Sequence, residues 1–348
     1  MVLNRRKLGK TGLSVTEMGF GGIPIQRVSE KTAIEVVNRC YELGINYYDT
    51  ARAYTTSEER IGKALEGVRE NVYIATKSHS KTAKELKENF ATSLKNLKTD
   101  YIDVYQLHNV TEENWKAISA PGGALEAIIE LKKQGVARHI GVTSHSPTFL
   151  TKLVDENTLF ETIMVGYNFI ATEPAEKLLP LCKKKRVGTV IMKPFGGGAF
   201  SNPNTALKFV LADKNANCTI PGMLSVKEVE ENVSVCGGDL KLAPEELEAI
   251  KLDKSILGSQ FCAACEYCQP CPAGIPISFV LRTELSTLRR MGWTESIMKQ
   301  TKETAPKVAA CLQCGACETR CPYQLPIREL LPMKMDALLK RFEEKSIP

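Results

Sequence analysis

The sequence contains no long apolar run. None of its segments approaches the roughly 18 to 20 consecutive apolar residues of a membrane-spanning helix. The basic start, M-V-L-N-R-R-K-L-G-K, is not followed by the apolar stretch of a secretory signal. We therefore expect a protein without a membrane span that is located in the cytoplasm.

Clustered positive charge is also missing. The formal net charge is only +6 for 348 residues, and the lysines are spread along predicted helices opposite glutamates. Nucleic-acid-binding proteins usually concentrate Lys and Arg on one face or along one helix, so we expect no nucleic-acid partner. The hydrophobic content of 43% and the charged content of 25% are those of an ordinary globular chain.

The glycine pattern of a dinucleotide-binding open sheet, G-x-G-x-x-G, follows none of the predicted strands. Gly19, Gly21 and Gly22 have the wrong spacing, and no helix begins directly after them. Their spacing disfavours a doubly wound open sheet, which is the alternative α/β fold for this chain.

Strand-like and helical segments alternate along the first two thirds of the chain. After a predicted β-hairpin over residues 3–20, eight short apolar segments are each followed by a segment with helical spacing of apolar residues. Eight such units within about 220 residues predict an α/β fold, a (β/α)8 TIM barrel with an N-terminal β-hairpin. The predicted strands are residues 18–22, 45–49, 72–76, 102–107, 139–142, 162–167, 188–191 and 218–220. One of the predicted helices covers residues 173–184, and residues 109–123 are expected to form one of the loops that select the substrate.

The pattern changes after a further predicted helix at residues 244–252. Two groups of cysteines then flank a helical middle, predicted at residues 277–291 and 294–304, and a lysine-rich helix closes the chain. We therefore predict two domains, a barrel over residues 1–254 and an α-helical domain over residues 255–348.

Four polar residues stand at or just beyond the ends of three consecutive predicted strands. Asp49 and Tyr54 follow the second strand, Lys77 the third and His108 the fourth. The carboxyl ends of the strands of a (β/α)8 barrel surround one mouth. We therefore expect these four side chains to converge there.

The chemistry of the four residues fits together. Tyrosine is a poor proton donor near pH 7 because its ordinary pKa is about 10. A neighbouring ammonium lowers that pKa by stabilising the phenolate, and a carboxylate keeps the ammonium charged and oriented. We predict that Asp49 holds Lys77, that Lys77 tunes Tyr54, and that Tyr54 exchanges a proton with a substrate oxygen. His108 can donate a second hydrogen bond to the same oxygen, and the set suits a carbonyl that becomes an alkoxide, or the reverse.

The sequence around these residues resembles the aldo-keto reductase family over residues 1–240. The matching text is G-I-N-Y-Y-D-T-A at 44–51, S-E-E-R-I-G at 57–62, A-T-K at 75–77 and L-K-T-D-Y-I-D-V-Y-Q-L-H at 97–108. The catalytic tetrad of that family falls on Asp49, Tyr54, Lys77 and His108. The resemblance implies reduction of an aldehyde or ketone to an alcohol, or the reverse, on a small-molecule substrate.

The resemblance also implies a nicotinamide cofactor, NAD or NADP, across the barrel mouth. Its contacts would come from the first strand and from the ends of the later strands. The implied residues are Gly21, Gly22, Thr143, Ser144, Met164, Met192, Lys193, Pro194, Phe195, Gly196, Gly222, Glu228, Glu231 and Asn232.

The cofactor half departs from the family pattern. Many relatives hold the carboxamide with a glutamine on the sixth strand, where this chain has Met164, and stack an aromatic ring where it has Met192 and Lys193. Relatives that prefer NADP grip its 2′-phosphate with a lysine and an arginine, where this chain has Gly222 and Glu228. Repulsion between a carboxylate and a phosphate favours NAD. An equal alternative is that Ser225 and Glu228 form the capping box of the last helix, which needs no ligand.

Cysteine is the residue that the sequence has in excess. Eight of its 12 cysteines fall between Cys262 and Cys321, and the other four are scattered through apolar surroundings, where we expect buried, inert thiols. Clustered cysteines without a secretion signal indicate metal binding rather than disulfides. The scattered four are Cys40, Cys182, Cys218 and Cys236.

The spacing of the clustered cysteines indicates iron and sulfur. The second run, C-x2-C-x2-C-x3-C-P from Cys311, has the bacterial ferredoxin spacing for a [4Fe–4S] cluster, and the first run, from Cys262, is one residue shorter before its last cysteine. The fourth cysteine of each run usually binds the other cluster. We therefore predict one cluster on Cys262, Cys265, Cys268 and Cys321, and another on Cys271, Cys311, Cys314 and Cys317.

Two alternatives to this assignment stay open, zinc in place of iron and a single cluster beside a vestigial run. The helical segment between the runs resembles the α-helical ferredoxin domains of multi-subunit oxidoreductases. The clusters would then be structural or would exchange electrons with ferredoxin or a partner subunit. Electron exchange with nicotinamide normally needs a flavin, and the sequence shows no flavin motif. A non-enzymatic scaffold is the third hypothesis, which the complete tetrad disfavours.

Overall fold

The computed structural model of the protein describes residues 3–156, 158–258, 261–262, 267–288, 293–321 and 323–345. The chain divides into two compact units, Met1–Pro194 with Asn204–Leu242, and Phe195–Pro203 with Ala243–Pro348. The helix Pro244–Leu257 belongs to the second unit, and the predicted boundary at residue 254 falls within it. Among the described residues, no helix is both long and apolar enough to cross a membrane.

The first unit begins with the predicted β-hairpin. Strands β1 (Arg5–Lys7) and β2 (Ser14–Thr16) pair antiparallel, and a short 3-10 turn connects them. Leu8 and Val15 are completely buried and pack with apolar side chains from the strands that follow. The hairpin therefore contributes part of the apolar core of this unit.

The predicted (β/α)8 barrel is confirmed. The described residues contain a sheet of eight strands in sequential order, all paired in parallel. Two parallel bridges, Met18 with Thr219 and Gly21 with Gly222, join its first strand to its last and close it. The strands are β3 (Phe20–Gly21), β4 (Tyr47–Asp49), β5 (Tyr73–Ser78), β6 (Ile102–Leu107), β7 (Ala137–Thr143), β8 (Thr162–Gly166), β9 (Gly188–Met192) and β10 (Cys218–Thr219).

Helices follow the strands, and several of them begin at a polar N-cap side chain. The hydroxyl oxygen of Ser29 accepts from the backbone N–H of Thr32, and Thr82 caps a later helix in the same way. The helices of this unit are α1 (Glu30–Glu42), α2 (Ser57–Leu65), α3 (Ala83–Leu97), α4 (Glu112–Ile118), α5 (Ala124–Lys133), α6 (Pro147–Glu156), α7 (Glu173–Glu176), α8 (Leu178–Lys185), α9 (Pro203–Ala212) and α10 (Val226–Val235).

Two of the predicted segments differ from the structure. The segment 109–123, expected to be a substrate loop, contains helix α4, which begins at a capping box of Thr111 and Asn114. Trp115 on this helix packs against Phe160, with ring centroids 6.1 Å apart. The single helix expected at residues 173–184 is divided into α7 and α8, because Lys177 has non-helical backbone angles.

The second unit is helical. Its predicted helix over residues 277–291 is described up to residue 288, as α12 (Ile277–Arg282) followed directly by a π-helical turn, Thr283–Thr287, whereas residues 289–291 lie outside the described residues. Apolar side chains from α12 and the last helix share one core, against which several cysteines pack. The helices are α11 (Pro244–Leu257), α12 (Ile277–Arg282), α13 (Glu295–Ala309), α14 (Ala316–Thr319) and α15 (Ile327–Lys345).

Candidate active site and cysteine cavity

A buried ion pair lies at the carboxyl ends of strands β4 and β5. Lys77 Nζ donates to Asp49 Oδ1 at 2.5 Å and to the backbone oxygen of Thr50 at 2.8 Å. The two side chains are only 1% and 2% exposed. Because β4 and β5 are neighbours in the sheet, residues at their ends meet without any contribution from a loop.

Burial and pairing act on this ion pair in opposite directions. Burial lowers the pKa of Lys77 and raises the pKa of Asp49, while the charge of each partner opposes the shift of the other. Gln106 also steadies the carboxylate, since its amide Nε2 donates to Asp49 Oδ2 at 3.2 Å. Gln106 was not predicted as a site residue, although it lies two residues before His108 and therefore on the same face of its strand.

Tyr54 lies in the loop between β4 and α2, beside this pair. Lys77 Nζ is 5.2 Å from the centroid of the Tyr54 ring. The ring is half-buried and meets His108 edge to face, with ring centroids 5.9 Å apart. The structure thus brings all four predicted catalytic side chains together at one mouth of the barrel.

His108 is nearly enclosed, with 6% of its surface exposed. Burial lowers its pKa well below the ordinary value, and electrostatic interactions with His79, Lys77 and His145 act in the same direction. Its ring stacks on His79 with centroids 3.9 Å apart and planes inclined by 16°. Burial thus favours the neutral imidazole, which offers one N–H donor. Sequence reasoning missed His79, and the only local signal was its place two residues after Lys77.

A buried carboxylate lies behind the ion pair. Glu58, the first glutamate of the S-E-E-R motif, is 1% exposed, and its Oε1 accepts from the hydroxyls of Thr76 and Ser93 at 2.8 and 2.6 Å. Arg52 donates to Oε2 at 2.8 Å. The motif therefore supports strand β5 directly next to Lys77.

The predicted cofactor glycines lie where backbones approach closely. Gly21 N–H donates to the backbone oxygen of Pro221 at 3.0 Å, and a Cβ atom at Gly21 would lie 2.6 Å from the oxygen of Ile220. Gly22 N–H donates to the backbone oxygen of Asp49 at 2.8 Å. The closure of the barrel explains Gly21, and the close approach of the neighbouring strand explains Gly22, in both cases without any ligand.

Polar groups collect at the ends of β6, β7 and β8. Thr143 Oγ1 accepts from the backbone N–H of Asn109 at 2.8 Å, and Ser144 N–H donates to the backbone oxygen of Met164 at 3.2 Å. Among the described residues, Asn109 Oδ1 and His108 Nδ1 are buried without a hydrogen-bond partner. Unpaired acceptors beside buried hydroxyls suit a ligand with N–H donors, and the carboxamide of nicotinamide is one.

Other predicted cofactor residues have structural contacts of their own. The Met164 side chain is 1% exposed and packs among the apolar residues of the barrel interior, with Met192 partly buried against the same cluster. The backbone oxygen of Lys193 accepts from Asn168 Nδ2 at 3.1 Å, and Lys193 has the left-handed φ of +61°. Pro194 follows it as a buried residue.

Helix α10 carries the predicted residues for the adenosine end of the cofactor. Glu228 Oε2 accepts from the backbone N–H of Leu224 at 2.6 Å, and Ser225 Oγ accepts from Glu228 N–H at 3.2 Å. Glu228 is therefore part of the helix cap. Glu231 is exposed, 3.6 Å from the Lys227 ammonium, and Asn232 is buried. Of the remaining predicted contacts, Gly222 bridges to Gly21, whereas Phe195 and Gly196 belong to the second unit.

In the second unit, four cysteines line one cavity, and they are the four predicted to share a cluster: Cys271, Cys311, Cys314 and Cys317. Apolar side chains such as Ile275 and Leu331 form much of the remaining wall, with Arg320 and Arg328 at its polar side. Among the described residues, no three His, Cys, Asp or Glu side chains are grouped tightly enough to hold a single metal ion. Four thiols around an apolar cavity suit a group with several iron corners, such as a [4Fe–4S] cluster.

The second predicted ligand set is described only in part. Cys268 is buried in the apolar core of the unit, and Cys262 and Cys321 pack against the same core. Cys265 lies outside the described residues. The four scattered cysteines of the first unit are buried, as predicted, and burial raises the pKa of Cys182 and Cys236 to about 12.

Comparison with known proteins gives the family. Residues 17–206 match the Aldo/keto reductase family, and they include all four residues of the mouth described above. The chain belongs to the aldo/keto reductase family. Residues 261–326 match the 4Fe-4S dicluster domain, a region that includes all eight clustered cysteines. This aldo/keto reductase therefore carries a 4Fe-4S dicluster domain after its barrel.

Individual relatives support the same assignment. An uncharacterized oxidoreductase of Bacillus subtilis, YqkF, is 32% identical over 211 residues, which are 56% of this chain and 66% of the relative. The L-galactose dehydrogenase of Arabidopsis thaliana is 27% identical over 301 residues, 72% of this chain and 91% of the relative. The holo form of an aldo-keto reductase from Bacillus halodurans is similar in structure, with a TM-score of 0.63 and 28% identity over 72% of this chain and 96% of that one.

Proposed function

We propose that this aldo/keto reductase converts a small aldehyde or ketone to the alcohol with NADH or NADPH, or catalyses the reverse oxidation. Tyr54 is its general acid and base. The observation that carries the proposal is the buried Lys77–Asp49 pair, whose ammonium lies 5.2 Å from the centroid of the Tyr54 ring. We also propose that this reaction belongs to residues 1–254, and that the protein is cytoplasmic, where thiols stay reduced.

The roles of the four residues follow from their surroundings. Asp49, held by Gln106, keeps the Lys77 ammonium charged and fixed although it is buried. That ammonium stabilises the phenolate of Tyr54, so the hydroxyl can give a proton to a substrate oxygen at neutral pH. A bound nicotinamide would supply the hydride to the carbonyl carbon. Because Tyr54 is only half-buried, its hydroxyl can meet a substrate that enters from solvent.

His108 orients the substrate rather than donating its proton. Its pKa lies well below the ordinary value because the ring is buried, so it stays neutral and donates a hydrogen bond. Two donors, Tyr54 and His108, then converge on one substrate oxygen. These two hydrogen bonds would fix the orientation of the carbonyl group.

The proposed cofactor is bound by groups at the ends of β7 to β9 and on α10. Thr143 and Ser144 would hold the carboxamide, together with the unpaired oxygen of Asn109. We propose NAD in preference to NADP, because the half-buried carboxylate of Glu228 is fixed at the start of α10. A 2′-phosphate beside it would meet like charge.

We propose two [4Fe–4S] clusters in residues 255–348. One would be held by Cys271, Cys311, Cys314 and Cys317, which line one cavity. The other would be held by Cys262, Cys265, Cys268 and Cys321. In this proposal the clusters stabilise a domain whose apolar core packs directly against their ligands.

The test of the catalytic proposal is the Tyr54→Phe variant. It should lose carbonyl reduction by at least about a hundredfold, the usual range for a general acid, while NADH affinity, measured by fluorescence titration, stays the same. Tyr47→Phe is the matched control, since its buried hydroxyl has no hydrogen-bond partner among the described residues. Unchanged turnover in Tyr54→Phe would show that Tyr54 is not the acid.

A second candidate function is electron exchange between the clusters and ferredoxin or a partner subunit. One observation favours it: Cys314 is exposed, and Leu312, two residues before it, is 66% exposed, so a cluster bound there would lie near solvent. This function needs a flavin or another group that splits the electron pair. Electron paramagnetic resonance of anaerobic protein should then change on addition of NADH or substrate. Identical spectra before and after would exclude this candidate.

A further inference from the structure

A single arginine connects the two cysteine runs. Arg320 Nε donates to the backbone oxygen of Ala316 at 2.8 Å, within the second run. Its Nη1 and Nη2 donate to the backbone oxygens of Gln269 and Pro270 at 3.0 and 2.9 Å, directly before Cys271 in the first run. One guanidinium therefore spans two segments about 50 residues apart in sequence.

The turn that carries Cys271 is fixed on its other side as well. Gln269 Oε1 accepts from the backbone N–H of Cys271 at 2.9 Å, and Gln269 Nε2 donates to the backbone oxygen of Ile275 at 2.8 Å. These two contacts lie within the turn and hold its shape. Movement of the whole turn away from the second run would break the two hydrogen bonds from Arg320.

Arginine is the side chain that suits this task. Its planar guanidinium presents N–H donors in a rigid fork, whereas lysine offers one flexible ammonium. Both η-nitrogens of Arg320 bind consecutive carbonyl oxygens, and Nε binds the opposite segment. A lysine can keep the positive charge at this place but cannot hold three carbonyl oxygens in the same geometry.

Cysteines from both runs line the cavity of the second unit. Cys271 comes from the first run, yet it lines the same cavity as Cys311, Cys314 and Cys317 of the second, with Arg320 as part of the wall. The first run lacks one residue before its last cysteine relative to the ferredoxin spacing. A shorter run moves Cys271, so its position depends on contacts outside the run.

We propose that Arg320 is a positioning residue that holds Cys271 in the second run's cavity, so that a cluster there binds one cysteine from the first run. This inference rests on the proposed iron–sulfur function of the domain. Because Arg320 fixes the position of one cysteine ligand, its loss should lower the amount of cluster that the protein retains and should change the spectrum of that cluster.

Arg328 provides a matched control. It lines the same cavity and carries the same charge. Its hydrogen bonds, however, go to Glu318, which lies within the second run. Arg328 Nη2 is 2.7 Å from a carboxylate oxygen of Glu318. Arg328→Gln therefore removes a positive charge from the cavity wall without breaking the link between the runs.

The experiment compares the full-length wild type, Arg320→Gln, Arg320→Lys, Arg328→Gln and Cys271→Ser, all purified without oxygen. Iron, acid-labile sulfide and electron paramagnetic resonance spectra are measured for each. The wild type and Arg328→Gln should contain about eight irons per chain, and Arg320→Gln and Cys271→Ser should fall toward about four, with the same altered spectrum. Iron content and spectrum of Arg320→Gln equal to those of the wild type would overturn the proposal, as would equal losses in Arg328→Gln.

Arg320→Lys covers the case in which Arg320→Gln does not fold. It keeps the charge, and we expect it to lose the same cluster, whereas full retention of iron would show that the charge alone suffices and would overturn the positioning role. If the wild type contains zinc and no labile sulfide, the iron–sulfur function and this inference both fail. If the wild type contains about eight irons and Arg320→Gln matches it, only the role of Arg320 fails.

Discussion

The Lys77–Asp49 pair should affect both the free energy of unfolding of the barrel and the proposed carbonyl reduction. Both groups are almost completely buried, so loss of one partner leaves an uncompensated charge that costs about 3–5 kcal/mol. We predict that Lys77→Met lowers the free energy of unfolding by about that amount and abolishes carbonyl reduction. The double variant Lys77→Met, Asp49→Asn removes both charges of the pair and should be less destabilised than Lys77→Met. Urea denaturation measures both, and equal stabilities of the single and double variants would contradict the account.

His108 makes stability depend on pH in a definite direction. Burial lowers its pKa in the folded protein, whereas the unfolded chain has the ordinary value near 6.5. Below that pH the unfolded state binds a proton that the folded state does not, so stability falls as the pH falls. The steepest slope from one such group is about 1.4 kcal/mol per pH unit.

The variant His108→Gln tests this pH dependence. Urea denaturation at several values between pH 7.5 and about 5.5 should show a shallower loss of stability in the variant than in the wild type. His79 and His145, whose pKa values are also lowered by burial, remain in both proteins. Parallel curves would mean that His108 does not titrate differently in the folded and unfolded states.

The residues of the site differ in how well the sequence predicts them. Asp49, Tyr54, Lys77 and His108 could be grouped because each follows a predicted strand, and parallel strands end at one mouth. Gln106 was visible in principle, since alternate residues of a strand share a face. The stacking of His79 on His108 joins side chains 29 positions apart, and no local pattern indicates such a contact.

Strands and long helices were the elements that the sequence predicted well. Each has a regular apolar spacing that burial enforces, as in helix α3, where Leu86, Phe90 and Leu97 face the core. Helix α4 was missed because only one of its seven residues is buried, so its apolar spacing carries little signal. Its start was nevertheless encoded by the capping box of Thr111 and Asn114.

Helix α10 is the element that should decide between NAD and NADP. Glu228→Gln removes the carboxylate charge but keeps an oxygen that can accept from the backbone N–H of Leu224, so the helix cap survives. We predict that this variant binds NADPH about tenfold more tightly, equal to about 1.4 kcal/mol, with little change for NADH. Fluorescence titration of both cofactors measures the ratio. Ser225→Ala, which weakens the cap without changing charge, is the control, and an unchanged ratio in Glu228→Gln would leave Glu228 with a capping role alone.

At the scale of the whole molecule, two kinds of sequence signal specify two units. Periodic apolar segments predict the barrel. The spacing of the cysteines predicts the second unit, and this spacing is easy to recognise because it lies within two short stretches of sequence. The link from Arg320 to Gln269 and Pro270 connects the cysteine runs across the fold. This link could not be predicted from the sequence, because every residue has a backbone carbonyl oxygen and no residue type indicates which of them an arginine will bind.

We propose that the Tyr54 site reduces a carbonyl by direct hydride transfer from nicotinamide. The most direct measurement uses NADH deuterated on both faces of the hydride-donating carbon, a panel of aldehydes and ketones, and mass spectrometry of the alcohols. The account predicts one deuterium on the carbinol carbon with the wild type and almost no product with Tyr54→Phe. Alcohol formed without that deuterium, or formed equally by Tyr54→Phe, would contradict it.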